Sequence, residues 1–295
     1  MALAPATPVS LVIPVHCKPQ RLALTLAAVQ GQDGIGDVEV LLVADNPSPA
    51  VAALLATPSV GRVIASPGLG RAGARNLGAR AARGDLLVFI DDDILLERDF
   101  LARHRAAQAR TPGLVHGQLR EIPGLSRIAD PAAGGPGCAP VSAAALRAGA
   151  WQPEGIRLLT NALAQAIEHA DAARWPWLAA GANLSVPRRH WQQVGGFDAS
   201  YGTRWGMEDI DFAYRLWAAG VPVMRAPEAR GYHMSHGQAA RWDDHHVNLR
   251  KFQRLANCPE ALALDALLSA NGSVQRYRQR IDQIRQTAAP CAAPL

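Results

Sequence analysis

The first 120 residues alternate short, unbroken apolar runs with longer stretches whose apolar positions recur every three or four residues. Residues 9–15, 38–44, 61–65 and 86–90 read as buried strands, and residues 21–30, 47–56 and 72–83 as helices. This alternation predicts βαβ units, hence an α/β fold with a mostly parallel, Rossmann-like sheet flanked by helices. In such sheets the ligand crevice lies beyond the carboxyl ends of the strands. Three of those ends carry polar residues: His16, Asp45 and the run Asp91-Asp92-Asp93.

Beyond residue 120 the pattern loosens. Residues 124–151 are rich in Pro, Gly and Ala and read as a long irregular connection. A helix is expected over 156–173, a strand over 182–186, a short helix over 188–194, and a further helix over 207–219 closed by Gly220 and Pro222. Residues 239–287 read as a helical, surface-bound extension with an Ala/Pro tail. The expected organisation is therefore 1–120, 121–237 and a C-terminal extension over 238–295.

Composition narrows the class. A chain of 295 residues with 19% charged residues buries a sizeable core and is globular. The net charge of +5 comes almost wholly from arginine, since Lys18 and Lys251 are the only lysines. The arginines are scattered without a basic helix or run, so no nucleic-acid partner is expected. Cys17, Cys138, Cys258 and Cys291 form no C-x-x-C pair, which argues against a zinc knuckle and for a reducing cytoplasm. Neither a signal peptide nor an ordinary membrane span of about 18 apolar residues is read. Peripheral membrane contact and a homodimer stay open.

The strongest chemical signal is the acidic triplet. Three carboxylates directly after an apolar strand repel one another unless a cation or donor groups neutralise them. Strand alternation would put Asp91 and Asp93 on one side and Asp92 on the other. Two same-side carboxylates suit a hard cation, Mg²⁺ or Mn²⁺, carried with a diphosphate; the alternative is an acidic cap for the helix from about Arg98.

These residues resemble the nucleotide-sugar glycosyltransferases of the GT-A fold, in particular the inverting family 2 and its galactosyltransferase-like relatives, over about 9–237. The family's first strand is matched by Ile13-Pro14-Val15, its second-strand acid by Asp45, and its A-R-N-x-G run by Ala74-Arg75-Asn76-Leu77-Gly78. Its D-x-D is Asp91-Asp92-Asp93. The acceptor block is matched by Gly195-Gly196-Phe197-Asp198 and by Trp205-Gly206-Met207-Glu208-Asp209-Ile210-Asp211. On the donor side the resemblance implies Pro14, Val15, Asp45, Arg71, Arg75, Asp91 and Asp92. Asp45 would accept from a uracil or thymine N3–H, or else it simply caps a turn; Arg75 is either a diphosphate ligand or a structural ion-pair partner.

The resemblance implies that Asp93 binds Mn²⁺ or Mg²⁺ and that a late histidine completes the metal site, His233 with His236 as its rival. Inverting transfer needs a carboxylate opposite the leaving diphosphate, assigned to Asp209, with Glu208 holding acceptor hydroxyls and Trp205 stacking on a sugar. The bland alternative is that both acids merely favour a helix start. Trp175, Trp177 and Trp191 are expected in the core, and His245 and His246 in solvent.

The implied partners are a UDP- or dTDP-sugar and a small-molecule, glycan or glycolipid acceptor. The first 120 residues would bind the donor and 121–237 the acceptor. The Q-x-x-R-W motif of processive synthases is missing, so one sugar, or few, would be added. Two other readings share parts of this pattern. A sugar-1-phosphate nucleotidyltransferase would need a glycine-rich basic loop after the first strand, where Val15-His16-Cys17-Lys18 stands. A non-catalytic carbohydrate-binding protein would not need both acidic sets.

Overall fold

The computed structural model describes residues 7–57, 61–169, 172–236 and 241–287. Gly237, the expected helical start at Ala239 and the tail after Thr287 lie outside the described residues. In chain order the main elements are β1 (Val9–Val15), α1 (Pro19–Gln30), β2 (Val38–Asp45), α2 (Pro49–Ala56), β3 (Arg62–Ser66), α3 (Gly70–Ala81), β4 (Leu86–Ile90), β5 (Ile94–Leu96), α4 (Phe100–Arg110) and β6 (Leu114–Glu121). There follow α5 (Ala143–Arg147), α6 (Ala162–Glu168), β7 (Asn183–Pro187), α7 (Arg188–Gln193), α8 (Glu208–Ala218), β8 (Val223–His233), α9 (Arg241–Ala256), α10 (Pro259–Leu262) and α11 (Val274–Thr287).

The eight strands form one sheet in the order β3-β2-β1-β4-β7-β6-β8-β5. The β3-β2-β1-β4 half is parallel, as the βαβ pattern requires. On the far half β7 runs antiparallel to β4 and β6, and β5 antiparallel to β8. Because successive side chains point to opposite faces, two apolar layers result. Leu11, Ile13, Leu42, Val88 and Ile90 meet α1, α2 and α4 on one face. Val12, Leu41, Val43, Leu87 and Phe89 meet α3, α7 and α8 on the other. Gly78 allows α3 to lie close to the sheet, since a Cβ there would stand 2.4 Å from Val12 Cγ1.

The β6–β8 pair slips in register between Gly117 and Gln118. Such a bulge frees carbonyls, and Asn183 takes up two of them, donating from Nδ2 to Gln118 O and Ala229 O at 2.9 Å each. The pairing then resumes and sets Glu121 opposite His233.

Three expectations change. The helix expected over 156–173 is only α6, because Leu159 pairs with Glu121 in an isolated bridge and the Asn161 side chain accepts from Ala164 N as an N-cap. The irregular stretch over 124–151 contains α5 and is anchored by buried Leu125, Val141, Leu146 and Trp151. The C-terminal helices are not merely laid on the surface: Leu249, Phe252, Val274, Tyr277 and Ile281 form a third apolar cluster with Trp175 and Trp177. No described helix is long and apolar enough to cross a membrane.

Candidate active site

Asp45 ends β2 and gathers the turn that enters α3. Its Oδ1 accepts from the amides of Gly68 (3.1 Å) and Leu69 (2.7 Å) and from the Ser66 hydroxyl, and its Oδ2 accepts from the Gly70 amide (2.9 Å). The turn it holds is that of residues 66–70, not the Asp45-Asn46-Pro47-Ser48 turn, where Ser48 caps α2. The four donors fall unevenly, three on Oδ1 and one on Oδ2. Arg71 lies half-buried on the first turn of α3, and Pro14 is half-buried within β1. The Val15 side chain points into the core, 1% exposed, so it can approach a donor only through its backbone.

The acidic triplet occupies the turn between β4 and β5. Alternation along a pleated strand ends where the backbone turns, and the expected pairing of Asp91 with Asp93 is not what forms. Instead Lys18 Nζ joins Asp92 Oδ1 (2.7 Å) to Asp93 Oδ2 (2.5 Å), while Asp91 Oδ1 turns away to Arg75 Nη2 (2.7 Å). His16 N donates to Asp92 Oδ2 at 3.2 Å. Burial works against the Lys18 charge, but Asp93 and Asp92 outweigh it and hold the ammonium above its ordinary range.

At Asp93 Oδ2 two further donors converge, His236 Nε2 at 3.1 Å and His233 Nε2 at 3.2 Å. Both histidines thus stand with Asp93, the expected one and its rival, and the three offer ligand atoms within 4.8 Å of one another. Asp93 Oδ1 is buried with no hydrogen-bond partner among the described residues. A buried carboxylate oxygen with nothing to bond, beside two imidazoles, is a donor set that could hold a metal ion. His233 Nδ1 donates to Glu121 Oε2 at 2.7 Å, which fixes the ring and leaves Nε2 facing Asp93. Burial disfavours the His233 charge, but Asp93 and then Glu121 raise its pKa to about 10. Burial likewise opposes the Asp93 charge, yet His233 and Lys18 keep its carboxyl well below the usual range. Cation binding there would displace the His233 proton. Behind the histidines, Arg21 donates to the carbonyls of Met234 (3.1 Å), Leu125 (2.9 Å) and Ser235 (3.2 Å), pinning the segment that carries them.

The acceptor block meets the donor side through Arg75. This side chain is 1% exposed and donates from Nη1 to Glu208 Oε1 at 2.9 Å and from Nη2 to Asp91. Arg75 is therefore a buried ion-pair partner of both acids. Asn76 adds a second link, exchanging hydrogen bonds with Phe197 N (2.9 Å) and Phe197 O (2.7 Å). Glycine at 181 is needed for this approach, since a Cβ would stand 2.5 Å from Arg75 Nη2.

Glu208 is buried at the start of α8, and Asp209 beside it is partly exposed. Asp209 Oδ2 accepts from Gly181 N and Oδ1 from Ile210 N, at 2.8 and 2.9 Å. Burial, then the Glu208 charge, push its pKa up to about 6 against the pull of Arg75. The preceding Met207 is held at φ +78°, a left-handed conformation unusual for a non-glycine residue. Trp205 is half-buried, its ring centroid 5.3 Å from that of His245, and His245 is buried, which corrects the expectation of a solvated side chain; His246 is exposed as expected. Trp175, Trp177 and Trp191 lie in the core.

Sequence reasoning missed Lys18 and Glu121. Neither sits in a motif, and only the β6–β8 register reveals Glu121. A separate cleft of about 460 Å³ lies between α6 and α11, lined by Thr160, Gln165, Glu168, His169, Gln275 and Arg278, and no motif residue borders it.

Comparison with known proteins agrees with this fold. Residues 10–131 match the glycosyl transferase family 2 model, and residues 161–237 match the model of the N-terminal domain of galactosyltransferase. A validoxylamine A glucosyltransferase of Streptomyces hygroscopicus subsp. jinggangensis (strain 5008) is 40% identical over 62 residues, 21% of this chain and 14% of that protein. The uncharacterized glycosyltransferase YfnE of Bacillus subtilis (strain 168) is 24% identical over 261 residues, 77% of this chain and 64% of that one. The chain thus spans less than two thirds of either relative. Among solved structures, the mannosyltransferase PcManGT from Pyrobaculum calidifontis, in complex with GDP-Man and Mn²⁺, superposes with a TM-score of 0.55 at 16% identity, covering 95% of this chain and 71% of that one. S. aureus TarS 1-349 in complex with UDP-GlcNAc superposes with a TM-score of 0.59 at 12% identity, covering 95% and 74%. These two likenesses carry the fold, and the two family models, matching residues 10–131 and 161–237, support a family 2-like glycosyltransferase of the GT-A fold.

Proposed function

We propose that the protein transfers a sugar, with inversion, from a nucleoside diphosphate donor to an acceptor hydroxyl, with Mn²⁺ or Mg²⁺ held by Asp93, His233 and His236. The observation that carries this reading is the Asp91–Arg75–Glu208 bridge, which ties the donor-side acids to the acceptor-side acids within one site. When bound, the cation would supply Lewis-acid stabilisation of the leaving diphosphate. Asp209 takes the acceptor proton as the hydroxyl attacks the anomeric carbon, and its raised pKa suits a base working near neutrality. Arg75 holds Glu208 in place to bind acceptor hydroxyls. Trp205 offers an aromatic face to a sugar.

Asp45 stands at the carboxyl end of β2, where it would accept from a base carrying an N3–H, so UDP- and dTDP-sugars are the donors to test first. A small molecule, glycan or glycolipid would be the acceptor. Screening nucleotide sugars with Mn²⁺ for thermal stabilisation and for donor turnover tests the reading, with product anomers read by NMR. Retention of configuration would exclude the role given to Asp209. Undiminished turnover in Asp93→Asn would exclude the metal site, and an absence of any donor turnover would favour a non-catalytic binding protein.

A further inference from the structure

Lys18 stands where the chain enters α1, and Pro19 after it fixes the backbone of the first helical turn. From there its side chain reaches across to the triplet, and Nζ lies between two carboxylates that are far more buried than itself. The Lys18 side chain is 20% exposed, those of Asp92 and Asp93 only 7% and 2%. The ammonium rests on Asp93 Oδ2, the same oxygen on which His233 and His236 converge. Two cations this close repel strongly at the low effective dielectric of a buried site. A divalent ion held on Asp93 Oδ2 with His233 and His236 would therefore compete with Lys18 for that oxygen. Where the ion takes it, the ammonium has to leave, and its partial exposure and flexible stem allow that.

We propose that Lys18 is an exchangeable resident cation: it neutralises Asp92 and Asp93 in the free protein, yields Asp93 to the divalent ion, and is recovered as a counter-ion by the donor diphosphate that arrives with it. The inference rests on the reading of Asp93, His233 and His236 as the metal site. Its consequence is a linkage. The ion binds weakly alone, because it must displace Lys18, and tightly with a nucleoside diphosphate, because the displaced ammonium then gains an anionic partner. A lysine that only braces the fold would leave this coupling unchanged when it is replaced by a neutral residue.

The test is titration of Mn²⁺ by electron paramagnetic resonance and calorimetry, with and without UDP, on wild type, Lys18→Met, Lys18→Gln, Lys18→Arg and Asp93→Asn, each checked for folding by circular dichroism. Both neutral variants are expected to bind Mn²⁺ alone roughly tenfold more tightly than wild type, and the gain in Mn²⁺ affinity on adding UDP should shrink by a similar factor. Lys18→Arg, which keeps the charge, should restore the wild-type linkage. Mn²⁺ affinity in the folded neutral variants equal to or weaker than wild type overturns the proposal. If Asp93→Asn abolishes binding in that same experiment, the metal site survives and only the role of Lys18 falls. If wild type with UDP binds no Mn²⁺, or Asp93→Asn binds it unchanged, both readings fall together.

Discussion

Arg75 Nη1 stands 2.9 Å from Glu208 Oε1, 133 residues away in the chain, and both side chains are buried. The second guanidinium arm is held by Asp91. One arginine thus counterbalances an acid from each of two motifs, and burial of its charge is tolerated because both partners are in place.

Removing that charge should be costly. Arg75→Met leaves Glu208 buried without its partner and is expected to lower unfolding free energy by about 3–5 kcal/mol in urea denaturation. Adding Glu208→Gln to the same chain should recover part of the loss, since the two residues act as a unit. Additive losses would show that the pair is not coupled.

Asp209 gives a prediction with two signs. Its pKa of about 6 means that activity should fall roughly tenfold per pH unit below about pH 6, where the base is protonated. Asp209→Asn should reduce kcat by about 10²–10⁴. Stability should move the other way. A carboxyl whose folded pKa is raised destabilises the fold once ionised; the stability present below the unfolded value is lost as pH rises through about 6. Asp209→Asn is therefore expected to be more stable than wild type at pH 7.5, by no more than about 2 kcal/mol given the partial exposure of the group. An acid that only anchors the start of α8 would lose stability on the same change.

The parts legible in the sequence are those written locally. Unbroken apolar runs located β1, β2 and β4 to within a residue, because a strand covered on both faces has no polar register to blur its ends. Strand ends then located Asp45 and Asp91 to Asp93. What alternation could not supply was the turn after Ile90, which separates Asp91 from Asp93 and hands it to Arg75. Lys18 was a single charge outside any motif. The apolar spacing of Val274, Tyr277 and Ile281 was readable, but what it packs against, Trp175 and Trp177, depends on tertiary contacts that no local pattern encodes.

Glu121 is the third case. It faces His233 across the β6–β8 pairing and accepts from its Nδ1, as well as from Ser235 Oγ at 2.6 Å and Asn161 Nδ2 at 2.9 Å. Partners of this kind orient a ligating imidazole, and their loss commonly weakens metal binding by about 10–100-fold. Glu121→Gln is expected to weaken Mn²⁺ binding by that factor in calorimetry, with little change in thermal stability. Unaltered affinity would separate His233 from the metal site and leave His236 with Asp93.

Gly181→Ala tests how tightly the two halves are fitted. Its backbone φ is ordinary, so alanine meets no conformational penalty there; the obstacle is Arg75, whose Nη2 and Cζ would lie 2.5 and 2.6 Å from the new methyl. The guanidinium is held from both sides by Glu208 and Asp91 and has little room to retreat, so the backbone at 181 must move instead. Overpacking of this kind costs about 1–3 kcal/mol. Gly181 N is also the donor to Asp209 Oδ2, and that bond stabilises the ionised form. Lengthening it should raise the Asp209 pKa further and carry the acid limb of the activity profile to higher pH, with kcat recovering at alkaline pH. A loss of stability with an unmoved acid limb would mean that the Gly181 amide does not tune Asp209.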